Sequence, residues 1–72
     1  MKVKKFLMVM NNAHVETKVR FIDNRSLEDI NVLPLKVALV SELSNMKVAS
    51  CTINEFKSDE STLIKELTLY VK

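Results

Sequence analysis

Not one of the 72 residues is glycine, so every reversal of the chain must be made by a residue that carries a Cβ. Left-handed backbone costs an L-residue roughly 1–2 kcal/mol, a cost that glycine normally removes. Asn and Asp are the expected substitutes, because their short polar side chains bond the local backbone. The reversal sites expected on that ground are Asn11, Asn12, Asp23, Asn24 and Asn45. The same absence excludes chemistry. A Walker A loop, a Rossmann turn, an EF-hand loop, a Gly-rich kinase loop and a nucleophile elbow all need glycine where the backbone turns sharply or approaches a ligand.

Hydrophobic residues make up 47% of the chain and the formal net charge is +2, which suits a folded core rather than a disordered tail. One small α+β domain covering residues 1–72 is expected, near the size at which a single core is only just sufficient. Cys51 is the only cysteine, which excludes an intrachain disulfide or a multi-cysteine zinc site and favours a reducing compartment. Lys2, Lys4 and Lys5 ahead of Phe6 imitate the start of a signal peptide. The apolar run that follows is five residues long, whereas an h-region takes roughly 7–15, and no run approaches the ~18 residues of a membrane span. A cytoplasmic protein with no membrane partner is expected. Gly, Ala, Pro and Arg supply six residues against fifteen Lys and Asn. That balance points to an AT-rich genome, and a small motif-free chain of such origin fits a phage or mobile-element accessory protein.

Residues 3–10 are rich in β-formers and are followed by Asn11 and Asn12, which suit a tight turn. From His14 to Ile22 the alternation has period two, with Val15, Thr17, Val19 and Phe21 on one side and His14, Glu16, Lys18 and Arg20 on the other. The two segments read as an antiparallel N-terminal β-hairpin. Ser26-Leu27-Glu28-Asp29 has the spacing of a capping box and predicts one helical turn, stopped before Pro34. Leu35, Ala38, Leu39, Glu42 and Leu43 then recur at helical spacing, which favours a helix over 34–44 above a strand. Residues 46–56 read as a strand. Over 59–71, Leu63, Ile64, Leu67, Tyr70 and Val71 share a helical arc, while 67–71 also reads as a strand; helix is slightly favoured. The expectation is a small antiparallel sheet with helices packed on one face, in the order ββαβα or ββαββ.

Candidate chemistry is sparse. His14 and Glu16 share a strand face, but neither a second histidine nor another cysteine exists to complete a metal site. Cys51 lies between Ala49 and Ile53 in a row that reads as buried, where a thiol is an inert hydrophobe rather than a nucleophile for His14. The pairs Glu28-Asp29 and Asp59-Glu60 stand at expected helix starts, where capping and the helix dipole account for them. No catalytic residue, cofactor, metal or small-molecule substrate is expected.

Charge and apolar surface say more. Residues 1–25 hold six cations against two acids, and residues 26–72 hold five lysines against seven acids. A basic hairpin carrying Lys18 and Arg20 has the shape to meet nucleic-acid phosphates. The apolar segment with Phe6, Met8 and Met10, read as a strand, is hydrophobic on both faces, and helices on one side of a sheet leave the second face to meet another protein. The expected function is a non-enzymatic interaction module, a homodimer or one docking on a larger partner, with contact residues Phe6, Met8, Met10, Lys18 and Arg20. A nucleic-acid-binding regulator using the hairpin is the alternative.

Overall fold

A computed structural model describes residues 1–10, 16–57 and 63–72. His14, both asparagines of the expected N-terminal turn, and Asp59 and Glu60 lie outside those residues. The elements run α1 (Val3–Met10), β1 (Glu16–Asp23), β2 (Asp29–Pro34), α2 (Leu35–Val40), a 3-10 turn at Glu42–Asn45, β3 (Val48–Lys57) and β4 (Leu63–Val71). The four strands form one mixed sheet in the order β2-β1-β4-β3. The α+β class holds, with two helices on a four-stranded sheet; the N-terminal hairpin does not.

Residues 3–10 form α1 instead of a strand, and the reason lies in where period two would send Lys5. A strand places Lys5 on the same face as Val3 and Leu7. A helix gathers Val3, Leu7, Phe6 and Met10 on one stripe and turns Lys4 and Lys5 to water. Val3 and Leu7 are fully buried, with Phe6 and Met10 packed against the core. Leu, Met and Lys also favour helix.

The hairpin that does form joins β1 to β2. Its register runs from Lys18 opposite Pro34 to Ile22 opposite Asp29, with an irregularity between Phe21 and Ile22. The expected helical turn at 26–29 is absent. Ser26 Oγ accepts the Glu28 N–H at 3.3 Å inside the turn, and the β-branched run that follows is taken up by β1.

α2 matches the helical reading of its sequence, burying Leu35 and Ala38. It ends early because Ser41 is extended (φ −81°, ψ 165°) and its hydroxyl donates to the Ala38 carbonyl at 2.7 Å.

β4 is a strand, where a helix was narrowly favoured. Leu67, Leu69 and Val71 alternate into the core while Thr68 is buried on the opposite face. As a central strand it pairs with β1 on one side and β3 on the other. A helix there would have left β3 without a backbone partner and β1 paired on one side only, a loss local propensity cannot offset. The sheet is also not wholly antiparallel: β1 and β4 run parallel, with Val19 beside Leu67 and Phe21 beside Leu69.

Val19, Phe21, Leu67, Leu69 and Val71 from the two central strands meet Val3, Leu7, Leu35 and Ala38 from the helices. Each of the Val, Leu and Phe side chains contributes about 1.5–3 kcal/mol relative to exposure, and Ala38 less. Val48 at the start of β3 still packs against this cluster, but residues 49–55 lie beyond it and are exposed. Cys51, expected to be buried, is therefore exposed.

Candidate functional site

The helices occupy one side of the sheet, so among the described residues the other side is open. Alternation from the buried positions assigns that open face to Lys18, Arg20 and Ile22 of β1, and to Ile64, Glu66, Thr68 and Tyr70 of β4. Val32 of β2 lies opposite Arg20, and Ser50, Thr52 and Asn54 of β3 lie opposite Tyr70, Thr68 and Glu66. Ile22 and Tyr70 are direct neighbours across the parallel pair. With Val32, 47% exposed, they make an apolar strip bordered by hydroxyl and amide side chains.

The charged groups are placed beside this strip. Arg20 Nη2 stands 3.7 Å from Glu66 Oε1, beyond hydrogen-bond length, so the pair is loose and contributes at most about 1 kcal/mol at this exposure. Arg20 Nε is out of water and has no partner among the described residues. The side chain as a whole is 43% exposed, so the terminal donors, rather than Nε, are within reach of a carboxylate arriving on this face. Lys18 is exposed and sits opposite Glu66 in the register.

Lys18 and Arg20 are accordingly brought together, and the structure separates them from the other expected contact residues. Phe6 and Met10 turn inward to the core, and only Met8, 63% exposed, faces water. It lines an open hollow of about 300 Å³ with Lys2, Lys4 and Lys5 on α1. Phe6 and Met10 therefore share the inner stripe of α1 while Met8 points away from them, because a helix separates position 8 from residues that a strand would align with it. The basic ribbon is lost for the same reason: the early lysines belong to the helical layer and Lys18 and Arg20 to the open face. Ile22, Val32, Glu66 and Tyr70 were not among the expected contacts. The alternation at 67–71 was the available signal for Tyr70, once read as strand.

Among the described residues, no three His, Cys, Asp or Glu side chains converge on a common point. No helix of the described residues is long and apolar enough to cross a membrane. No protein-family model matches the chain, and neither does a curated protein or a solved structure.

Proposed function

We propose that this chain is a small non-enzymatic binding module that docks a larger protein on its uncovered sheet face. The observation that carries this reading is a two-layer fold whose second sheet face holds Ile22, Val32 and Tyr70 with no covering element among the described residues. Apolar area at the centre supplies affinity, and Lys18 with the half-used Arg20 guanidinium steers an acidic rim of the partner. Composition alone places the protein with accessory proteins of phage or mobile elements in a low-GC bacterium, acting in a reducing interior.

The test is affinity capture from source cells, with and without nuclease, using the wild type, Tyr70→Glu, and Met8→Glu on the opposite layer. The expected result is a partner that survives nuclease, is retained by Met8→Glu and is lost with Tyr70→Glu. Retention by Tyr70→Glu would overturn the assignment of the face. Loss on nuclease treatment would make the ligand a nucleic acid instead.

A further inference from the structure

Acid and base are divided between the two layers of the fold. The helices α1 and α2 carry Lys4, Lys5 and Lys36 and no acid, and Lys2 stands just ahead of α1. All four lysines are exposed. Glu16, Asp23, Asp29, Glu55 and Glu66 lie on strands. Among the described residues the helical layer has one acid, Glu42 in the 3-10 turn.

The outward sides of the two helices repeat one pattern. The core takes Val3, Phe6, Leu7 and Met10 of α1, so a turn of about 100° per residue sends Lys4, Lys5, Met8 and Val9 to the far side. In α2, Leu35, Ala38 and Leu39 turn inward, and Lys36, Val37 and Val40 turn outward. A lysine thus precedes an exposed apolar residue by four positions three times over, at Lys4 and Met8, Lys5 and Val9, and Lys36 and Val40, each pair on one side of its helix. Val9 is 79% and Val40 86% exposed. The helices touch one another, so the outward sides adjoin.

The chemistry of this surface selects its occupant. It carries no arginine, aromatic, amide or hydroxyl side chain. Protein interfaces draw on arginine and aromatic anchors and are depleted in lysine. Nucleic acid takes lysine through its phosphates, but exposed Val and Met side chains add nothing to those contacts. An anionic bilayer uses both kinds of residue: headgroup charge attracts the lysines, the acyl boundary takes up the apolar side chains, and no shape match is required. Lys2, Lys4 and Lys5 enclose Met8 in the open hollow, where their stems can stay apolar while the amines reach headgroups.

We propose that the outer surface of the helical layer binds an anionic lipid bilayer. Met8, Val9, Val37 and Val40 enter the boundary between headgroups and acyl chains, and the lysines pair with lipid phosphates. Contact of this kind needs no membrane-spanning segment. It leaves the open sheet face turned to water, and it stands whether or not that face has a partner.

The test is co-sedimentation of the full chain at low ionic strength with two kinds of vesicle, pure phosphatidylcholine and equal parts phosphatidylcholine and phosphatidylglycerol. The wild type is expected to pellet with the anionic vesicles and to stay in solution with the neutral ones. Lys4→Gln combined with Lys5→Gln weakens partitioning about tenfold or more. Val9→Gln combined with Val40→Gln changes no charge, retains the wild-type circular dichroism spectrum, and weakens partitioning about fivefold or more. Lys18→Gln, on the opposite face, binds as the wild type does. A wild type that stays in solution with the anionic vesicles overturns the proposal, whatever acidic protein or nucleic acid it retains instead. Binding indifferent to the valine substitutions overturns it too, because simple adsorption of a basic protein would behave that way. An equal loss with Lys18→Gln places the contact on the other face and does the same.

Discussion

Leu27 holds a left-handed conformation, with φ 59°, the one positive φ among the described residues. It sits in the β1–β2 turn, where Asp23 and Asn24 had been expected to supply the reversal. Asp23 does build the turn, but with its side chain. Its carboxylate accepts the N–H groups of Arg25 at 2.8 Å and Ser26 at 3.2 Å, and the Leu27 N–H donates to the Asp23 carbonyl at 2.8 Å. The left-handed step then falls on the residue that follows this Asx-anchored loop. Leu27 is 67% exposed, so its side chain offers little packing in return for the strain. Leu27→Gly is expected to stabilise the fold by about 0.5–1 kcal/mol, the relieved strain less the added chain entropy. Urea denaturation measures this, and a loss of stability would contradict the turn geometry. The Arg25 and Ser26 N–H groups also hold the Asp23 carboxyl below its ordinary 3.8. The folded state therefore takes up this proton less readily than the unfolded chain. The resulting stability is present above the ordinary carboxylate value and is lost as pH falls through the lowered one. Asp23→Asn should flatten that acid limb of the stability curve while leaving its neutral-to-alkaline shape alike.

At the scale of elements, the informative comparison is α1 against α2. Both segments carry apolar residues compatible with either period. In α2 the helical stripe through Leu35 and Ala38 was legible because Leu, Lys and Ala favour helix over strand. In α1 the β-rich composition concealed the fact that only a helix frees Lys5 from the side of Val3 and Leu7. The two conformations make opposite claims about neighbouring residues, which a pair of substitutions separates. Leu7→Ala, at a fully buried position, is expected to cost about 2–5 kcal/mol. Met8→Ala, on the wet side of the same helix, is expected to change stability by less than about 0.5 kcal/mol. Thermal or urea unfolding of both variants checks this, and comparable losses would favour a segment buried on both faces.

For the whole molecule, the arrangement of layers governs what remains available for function. A chain of this size has helices enough for one face, with α2 against β1 and β2 and both helices closing the core, and overall extents are 37 × 21 × 16 Å. The opposite face and the β3 edge are left over for other contacts. That a second face would lack cover was legible from the count of apolar segments. Which residues occupy it was not, because Tyr70 and Ile22 become neighbours only through the parallel pairing of strands far apart in sequence. Lys18 and Arg20 were identified correctly as sharing a face, since period two within one strand is a local property. Phe6, Met8 and Met10 were grouped by the same rule, and the helix keeps Phe6 with Met10 on the core side but turns Met8 to water.

The amino-acid sequence by itself determined the α+β class, the exclusion of glycine-dependent ligand loops, the strand character of β1 and β3, the helix at α2 and the place of the turn after β1. These rest on residue chemistry and short-range periodicity, which act within a few positions of the chain. Only the tertiary structure decided that residues 3–10 are helical, that β4 is a strand, and that β1 and β4 run parallel. In each case local propensities differ by a few tenths of a kcal/mol per residue. Burying a shared core and satisfying the backbone of two central strands outweigh differences of that size. The exposure of Cys51 follows from the same cause: an edge position depends on which strands pair, and pairing is a property of the assembled sheet.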